Sequence, residues 1–457
     1  MMDMQAKTSV GHGQQMRDNT RAHMLRELAR NFFHQALNEA SIERSFARAV
    51  SCEGGILLIC DERYDLGSYG RVLVTSIGKA AHTLVQALEN RTGRCFEGIV
   101  SGSVVAKLQN RKLHYFQGGH PTPNAESIAS ARAMLKSVES IDDDALVIFM
   151  ISGGGSSIVE APFDDTITLE DLIITYRVLV HSGATISEVN AIRKHLSAIK
   201  GGRLAQAAAP AQQVSLLISD VPNDSPDALA SGPTMPDSTS VNDCYSLVSQ
   251  YGMLEQFPTS VRNIFERRDL TETPKFDDPA FHGSRWWTLL SNESAIQSAA
   301  DTAKQARYAV EVDNSCDDWD YAKAADYLLA RIRRLREKWP RTCLISGGEV
   351  TVKTSNGGVG GRNQQFALYC AEQMANENIT VLSAGTDGID GIDGNSPAAG
   401  AIADGTTIAR AQELGMELRS HLLGFDAFPV FDQLGDAIIT GPTGNNLRDL
   451  RIILADS

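Results

Sequence analysis

A serine- and glycine-rich stretch is the first part of the sequence in which backbone and side chains together could bind an anion. Residues 147–162 read VIFMISGGGSSIVEAP, so a hydrophobic run leads directly into three glycines flanked by serines. Glycines let backbone N–H groups approach a phosphate closely, and serine hydroxyls add further donors. A strand-to-helix turn that needs positive φ would have the same composition, and this stretch alone does not separate the two. The residues assigned to phosphate binding are Ser152, Gly153, Gly154, Gly155, Ser156 and Ser157.

The stretch completes none of the familiar glycine motifs. A dinucleotide fingerprint, G-x-G-x-x-G, could begin at Gly153, but Ile158 stands where its last glycine is needed. A nucleophile elbow, G-x-S-x-G, fails around Ser156 and around Ser157, because Ile158 and Val159 occupy its final position. The chain also has no Walker A sequence. The stretch therefore supports anion binding by glycine N–H groups and serine hydroxyls in general, but none of these specific motifs.

Three basic residues are candidates to meet such an anion. Lys79 follows a predicted strand in SIGKAA, at the start of a predicted helix. A lysine there opposes the helix dipole, which is tolerated more readily when the lysine faces an anion. Lys200 and Arg203 flank a double glycine in AIKGGRLA, and a plain solvated helix has no need of that glycine pair. Ordinary solvated positions are the alternative, but we assign Lys200 and Arg203 to phosphate binding.

An arginine stands at a comparable place in the second half of the chain. Arg362 follows a glycine-rich loop at 357–361 and begins the amphipathic helix RNQQFALYCAEQM. The planar guanidinium can bind phosphate through two parallel hydrogen bonds, so this position favours anion recognition. A flexible hairpin loop is the alternative.

Carboxylates follow several of the predicted strands. Asp220 ends QVSLLISD, Glu349 follows TCLISGG, and Asp387 and Asp390 lie in GTDGIDG. Such groups can bind Mg²⁺ or accept a proton from a hydroxyl, although Asp is also common in turns. The sequence shows no Ser-His-Asp order and no zinc-ligand spacing. Cations, a glycine loop and carboxylates together indicate phosphoryl transfer.

Composition narrows the class of protein further. The 457 residues carry a net charge of −14, which argues against a nucleic-acid-binding surface. Seven scattered cysteines without a C-x-x-C pair suit a reducing compartment. The N-terminal residues lack the apolar segment of a secretory signal, and no apolar run approaches the ~18 residues of a membrane helix. We expect a cytoplasmic protein with no nucleic-acid or membrane partner, and homo-oligomerisation stays open.

Hydrophobic runs alternate with amphipathic helical stretches along the chain. Strands are predicted at 71–78, 98–105, 145–152 and 213–220, with helices between them. This alternation predicts an α/β fold with mostly parallel sheets. A second alternation follows a charged, proline-containing segment. The predicted divisions are a disordered lead-in at 1–20, a Rossmann-like α/β domain at 21–265, a linker at 266–285 and a smaller α/β domain at 286–457.

Four buried-type strands share one kind of ending. The runs LVIFMISGG, VSLLISD, TCLISGG and ITVLSAG all end in serine followed by glycine, aspartate or alanine-glycine. Ligands of open α/β sheets bind beyond the carboxyl ends of strands. Since two of these runs fall in each predicted domain, we expect one cleft shared between the domains.

These motifs, in this order, resemble the class II glycerate 2-kinase family, whose C-terminal part is called the MOFRL domain. The matching stretches are SIGKAA, GGHPTPNAES, ISGGGSS, NAIRKHLSAIKGGRLA, SDVPNDSP, GGRNQQFAL, AGTDGIDG and TGPTGNN. The resemblance covers about residues 21 to 454 and implies two α/β domains around a cleft. It implies ATP-dependent phosphorylation of D-glycerate to 2-phosphoglycerate, with Mg²⁺.

Roles carry over by match to the family's motifs. The resemblance implies that Lys79 and Arg362 form the basic catalytic pair and that Asp220 is their acidic partner. We further assign residues to substrate binding and, for Mg²⁺, to metal binding. The substrate set is Asn190, Arg193, Glu349, Asp387 and Asp390, and the metal set is Asp220 and Asp387.

The chain departs from the family pattern at two places. Asn223, Asp224 and Ser225 stand where the family often has Gly-Asp-Asp, and Gln365 stands where it usually has Glu. Some relatives carry the label hydroxypyruvate reductase, which implies a nicotinamide cofactor and is our alternative function. The incomplete dinucleotide fingerprints disfavour it. A non-catalytic sugar-acid sensor is the third hypothesis, but it needs no Lys–Arg–Asp set.

Overall fold

The chain forms two compact units. The computed structural model describes residues 2–105, 110–139, 141–221, 225–353, 357–391 and 394–456, with side chains from residue 19 onward. The first unit is Ile42–Ser291, and the second unit joins Met1–Ser41 to Asn292–Ser457. The chain begins with helix α1 (Met2–Glu39), which belongs to the second unit.

The first unit is built on a six-stranded sheet with helices packed against it. A separate antiparallel sheet contains β1 (Val50–Glu53), β2 (Ile56–Ile59) and β3 (Glu62–Asp65). The strands of the main sheet are β4 (Arg71–Ile77), β5 (Glu97–Gly102), β6 (Leu113–Gln117), β7 (Ala145–Ser152), β8 (Gln212–Ile218) and β9 (Ser284–Leu290). The helices are α2 (Ile42–Ala49), α3 (Ala81–Thr92), α4 (Ala125–Glu139), α5 (Gly155–Ile158), α6 (Leu169–His181), α7 (Ile186–His195), α8 (Arg203–Ala208), α9 (Val241–Gln250) and α10 (Thr259–Arg267).

The main sheet of the first unit confirms the Rossmann-like prediction. Its strand order is β6-β5-β4-β7-β8-β9, and every neighbouring pair is parallel. The chain runs outward from β4 in one direction and then returns to β7 on the other side. This reversal makes the edge beyond β4 and β7 the topological switch point, where open α/β sheets bind their ligands.

The second unit has a mixed sheet. Its strands are β10 (Ala309–Val312), β11 (Arg341–Gly347), β12 (Ile379–Gly385), β13 (Gly400–Asp404), β14 (Ala437–Ile438) and β15 (Asp449–Asp456). Its helices after α1 are α11 (Asn292–Gln305), α12 (Tyr321–Arg336), α13 (Arg362–Gln373), α14 (Thr407–Glu413), α15 (Leu418–Gly424) and α16 (Phe428–Leu434). The strand order is β10-β11-β15-β12-β13-β14.

The expectation of mostly parallel strands does not hold for this second sheet. Only β10 and β11 pair in parallel, and the last strand, β15, lies antiparallel between β11 and β12. The pairs β12–β13 and β13–β14 are also antiparallel. Local β-α alternation cannot reveal that a strand from the end of the chain inserts into the middle of a sheet.

The units also divide the chain differently from the predicted boundaries. Leu25, Phe32 and Phe33 of α1 are buried in one cluster with Ile345 and Ile452, so this helix belongs to the core of the second unit. The predicted lead-in, 1–20, coincides with the first half of α1, and the side chains of residues 1–18 lie outside the described part.

The segment predicted as a linker, 266–285, belongs to the first unit. It buries Leu270 and Phe281 and leads into β9, which pairs with β8. A charged, proline-containing segment can therefore still contribute to a core through a few apolar anchors. No helix in the described ranges is long and apolar enough to cross a membrane.

Candidate functional site

Three adjacent strand ends of the first unit bring predicted site residues together. Lys79 follows β4, the 152–157 loop follows β7, and Asp220 follows β8. The backbone N–H of Lys79 donates to the carbonyl of Gly153 at 2.9 Å. Asp220 packs so closely on Gly153 that a Cβ there would lie 1.8 Å from its Oδ2 atom. Lysine, glycine loop and carboxylate thus meet at the switch point, and together with His120 we call them the lysine site.

The serine hydroxyls of the 152–157 loop differ in their hydrogen-bond partners and in their burial. The Ser152 hydroxyl is buried, accepts from the N–H of Ala80 at 3.0 Å and donates to the carbonyl of Ile77 at 3.2 Å. It joins β7 to the start of α3, which corrects its assignment to phosphate binding. The Ser156 hydroxyl pairs with that of Ser231 at 2.8 Å and stays half-buried.

His120 is a site residue that sequence reasoning did not single out. The ring Nδ1 and the Ser157 hydroxyl are 3.1 Å apart, so Ser157 also has a structural partner. A Cβ on Gly154 would lie 3.4 Å from the His120 ring and 3.1 Å from Lys79 Cγ, which places both side chains beside the loop. Burial and the charge of Lys79 lower the pKa of His120 to about 4. Its place in the GGHPTP motif was the only sequence signal.

Lys200 does not present its charge to a ligand. Its ammonium is enclosed, forms an ion pair with the buried Glu160 and lies 3.3 Å from the Tyr176 hydroxyl. Burial lowers the pKa of Lys200 to about 8, although Glu160 opposes the shift. The predicted phosphate-binding role is therefore corrected to a structural one.

Arg203 and Arg193 are likewise engaged within the first unit. The Arg203 guanidinium donates to the carbonyl and hydroxyl of Thr271, each at 3.0 Å, and so ties down the segment predicted as a linker. Arg193 lies over the Tyr176 ring, 4.3 Å from its centroid. Asn190 is half-buried on α7. Arg203 and Arg193 therefore both contribute to packing within the first unit, and the substrate-binding roles of Asn190 and Arg193 stay predictions.

An arginine-centred group occupies the second unit. Arg362, the first residue of α13, forms two hydrogen bonds to the buried Asp449, Nε to Oδ2 at 2.6 Å and Nη2 to Oδ1 at 2.9 Å. Its Nη2 also lies 2.8 Å from Glu349 Oε1. Burial would lower the pKa of Arg362, but Asp449 and Glu349 raise it above its ordinary value. Arg362 in turn holds the pKa of Asp449 below its usual range, against the effect of burial.

A cavity of about 450 Å³ adjoins Arg362. Gly360, Asp387 and Asn395 contribute to its lining, and 37% of the Arg362 side chain is exposed, so a ligand can reach the guanidinium. We call Arg362, Glu349, Asp387 and Asp449 the arginine site. Asp449 was missed because it begins β15, far along the chain from Arg362.

Asp390 caps a helix. Its carboxylate is buried and accepts from the backbone N–H groups of Asn363 at 3.0 Å and Gln364 at 2.9 Å. Burial raises the pKa of Asp390 to about 6 even though these N–H donors favour the charged form. Its oxygens bind the start of α13 and so help to position Arg362, and because Asp390 also lines the cavity beside Arg362, its substrate-binding role stays a prediction.

The described residues contain no group of three or more His, Cys, Asp or Glu side chains that could hold a metal by themselves. Magnesium at phosphoryl-transfer sites is commonly held by one or two carboxylates plus phosphate oxygens. Asp220 in the lysine site and Asp387 in the arginine site each fit that smaller donor set. Asn223, Asp224 and Asp393 lie outside the described residues.

The first unit is thus an α/β unit of the Rossmann-like class, with a lysine and a carboxylate at the topological switch point, where such folds bind their ligands. Residues 28–266 match a domain of unknown function, DUF4147, and residues 342–449 match the MOFRL family. The chain belongs to the glycerate 2-kinase (MOFRL) family.

Three relatives illustrate this membership. A D-glycerate 2-kinase of Thermotoga maritima is 34% identical, over 84% of this chain and 90% of its own. A protein of Agrobacterium vitis provisionally named hydroxypyruvate reductase is 34% identical, over 84% of this chain and 87% of its own. The crystal structure of a Thermotoga maritima glycerate kinase has a TM-score of 0.82 at 30% identity and covers 95% of this chain and 100% of that one.

Proposed function

We propose that the protein is a glycerate 2-kinase that transfers the γ-phosphoryl group of ATP to the 2-hydroxyl of D-glycerate. The observation that carries this proposal is the lysine site, where an exposed lysine, a glycine loop and a carboxylate meet at the topological switch point. Kinases need such parts because catalysis of phosphoryl transfer is mostly positioning and charge neutralisation.

The lysine site supplies the groups for the ATP phosphates and the acceptor hydroxyl. The Lys79 ammonium neutralises charge on the transferring phosphoryl group. The N–H groups of the 152–157 loop and the Ser156 hydroxyl bind phosphate oxygens. Asp220 orients the 2-hydroxyl and accepts its proton as the new O–P bond forms and the bond from the γ-phosphorus to the β,γ-bridging oxygen breaks.

The arginine site supplies a second cation that is held firmly. Asp449 fixes the Arg362 guanidinium through two bonds, so little side-chain entropy is lost when it meets an anion. In this proposal, Glu349 and Asp387 accept hydrogen bonds from glycerate hydroxyls. Asn190 and Arg193 stay in the proposal as substrate contacts from α7.

Magnesium would be held by Asp220 or Asp387 together with phosphate oxygens, and it would neutralise charge on those oxygens. Free cysteines, a known feature of proteins in reducing compartments, support a cytoplasmic location. Homo-oligomerisation stays a prediction that mass measurement in solution would address.

The second candidate is a hydroxypyruvate reductase, favoured by the names of two Agrobacterium vitis relatives. The test compares two assays on the same enzyme: ADP release with ATP, Mg²⁺ and D-glycerate, and NADH oxidation with hydroxypyruvate in the absence of ATP. We expect turnover in the first and none in the second. Turnover in the second alone would replace the kinase with the reductase.

A further inference from the structure

A large apolar cavity lies in the first unit outside the lysine site. Its volume is about 830 Å³, within the range of small-molecule sites. The edge strand β9 and its neighbour β8 form one wall through Trp286, Thr288 and Leu217. Met235 and Phe276 form the facing walls. Two aromatic rings and a thioether around a cavity of this size suit a flat apolar group.

The strand wall is fixed in place. Leu217 and Thr288 are register partners, so their side chains share one face of the sheet with Trp286, two residues before Thr288. The Trp286 indole N–H donates to the carbonyl of Thr234 at 2.8 Å, and its ring lies 5.9 Å from that of Phe281. A ring held in this way is preorganised to stack on a ligand.

A short 3-10 segment, Pro226–Ser231, connects this cavity to the lysine site. Its first residues, Pro226 and Asp227, line the cavity. Its last residue, Ser231, pairs with Ser156 of the glycine loop at 2.8 Å. Four residues of chain span at most about 14 Å, which is comparable to the reach from a nucleobase across its ribose to the phosphates.

The charged residues at the cavity lining indicate whether phosphates or uncharged polar groups can bind there. Asp227, Asp237 and Asp277 stand at its lining, and the nearest lysines are already paired. Lys194 binds Asp227 and Asp237 at 2.7 and 3.1 Å, and Lys275 binds Glu272 at 3.0 Å. The Asp237 side chain is fully enclosed, so the carboxylates available as acceptors for the exocyclic amine of a base or for ribose hydroxyls are those of Asp227 and Asp277. These carboxylates disfavour phosphate binding in the cavity.

We propose that this cavity binds the nucleobase and ribose of the ATP co-substrate, while the glycine loop binds the phosphates. Trp286 and Phe276 stack on or enclose the base, and Thr288 and Leu217 form its floor. This inference rests on the proposed kinase function, since that function requires a nucleotide in the first unit.

Two variants test whether the cavity binds the base, one by filling the cavity and the other by removing part of its wall. Thr288→Phe places a ring inside it from an exposed position on an edge strand, and Phe276→Ala removes a wall residue that is 82% exposed. We expect each to raise the KM for ATP by about tenfold or more. The kcat and the KM for glycerate stay within about twofold, since neither residue touches the reacting atoms.

The control is Val180→Ala, which removes an apolar side chain that is 65% exposed on α6, away from the cavity lining. It should keep the wild-type KM for ATP. Calorimetry with adenosine and with inorganic triphosphate separates base from phosphate. Adenosine binding should be lost in Thr288→Phe, while triphosphate binding is retained.

The possible results distinguish a failure of the cavity inference from a failure of the proposed kinase function. If the wild type phosphorylates glycerate and both cavity variants keep its KM for ATP, the cavity inference is overturned and the kinase stands. If the wild type has no kinase activity yet loses adenosine binding on Thr288→Phe, the base site stands and the function fails. A change in oligomeric mass in Phe276→Ala without any change in nucleotide binding would assign the cavity to a second copy and overturn the inference.

Discussion

Burial and the charge of Lys79 together disfavour the protonated form of His120. Both side chains lie beside Gly154, and the lysine charge adds to burial in lowering the pKa of His120 to about 4. The imidazole is therefore neutral at physiological pH and leaves Lys79 as the positive charge next to the glycine loop. Since the unfolded value is near 6.5, the unfolded chain binds more protons between these two values, and this residue makes stability rise with pH across that window.

Replacing Lys79 by Met should raise the pKa of His120, because it removes a positive charge that disfavours protonation. Histidine NMR titration of the wild type, of Lys79→Met and of a control, Lys136→Met, measures this directly. Lys136 is exposed on α4 and should leave the His120 titration unchanged. A wild-type His120 that titrates near its ordinary value would contradict the geometry described.

Mutation of Lys200 can test whether this residue forms a structural ion pair, as the structure shows, or binds phosphate, as the sequence predicted. Lys200→Met leaves Glu160 as an unpaired buried charge, so we expect a loss of about 3–5 kcal/mol in the free energy of unfolding. The double variant Lys200→Met/Glu160→Gln should recover part of it, as urea unfolding would show. A stable Lys200→Met protein with weakened ATP binding would instead restore the phosphate-binding role.

Strand ends are the elements that position the lysine site, and the sequence predicted them well. The strands expected at 71–78, 145–152 and 213–220 correspond to β4, β7 and β8. Hydrophobic runs that stop at Ser-Gly or Ser-Asp mark these ends because a buried parallel strand is apolar throughout. Parallel strands separated by helices all end at the same edge of a sheet, so the meeting of these strand ends at one edge was predictable.

Side-chain partners from distant elements were not predictable in this way. Asp449 binds Arg362 only because β15 inserts between β11 and β12, and Glu160 encloses Lys200 only through tertiary packing. Asp390 looked like a substrate ligand in GTDGIDG, yet its oxygens bind the start of α13. A local motif shows that a residue is polar and lies near a turn, but it does not show which groups form hydrogen bonds with its side chain.

The close contact between Asp220 and Gly153, at the ends of β8 and β7, can be tested by replacing the glycine. Gly153→Ala would place a Cβ 1.8 Å from Asp220 Oδ2, so the Asp220 carboxylate must move away from its position beside the loop. We expect glycerate phosphorylation to fall by about 100-fold, the scale at which misplaced catalytic groups cost activity. Gly283→Ala is the control, because its Cβ meets nothing closer than 3.6 Å. Equal activity of the two variants would remove Asp220 from the site.

At the scale of the whole molecule, α1 belongs to the second unit although it precedes the first in sequence. Helical periodicity predicted the helix but could not indicate which core it joins, since that depends on a long-range contact with α11 and β12. The cleft predicted from the four strand ends stays a prediction. The MOFRL match lies within the second unit, whereas the DUF4147 match covers most of the first unit and also residues 28–41, which belong to the second unit.

Hydrogen exchange can verify the assignment of α1. Phe33→Ala removes a fully buried ring of α1, which should cost about 3–5 kcal/mol and reduce protection in β11, β12 and β15 of the second unit. The reciprocal variant, Phe257→Ala, removes a buried ring of the first unit and should reduce protection around α6 and α9. Lost protection in the first unit on Phe33→Ala would place α1 with the other core.

The most direct test of the kinase proposal combines turnover with the position of the product phosphate. Wild type, Lys79→Ala and Arg362→Lys are assayed for ADP release with ATP, Mg²⁺ and D-glycerate, and ³¹P NMR identifies the product. Lysine at position 362 keeps the charge opposite the buried Asp449, so the variant stays folded while the two-bond geometry is lost.

We predict 2-phosphoglycerate from the wild type and a fall in kcat of about 10²–10³-fold in each variant, with unchanged melting temperatures. Near-wild-type turnover in both variants, or a wild type that phosphorylates no 2-hydroxyl, would contradict the proposal.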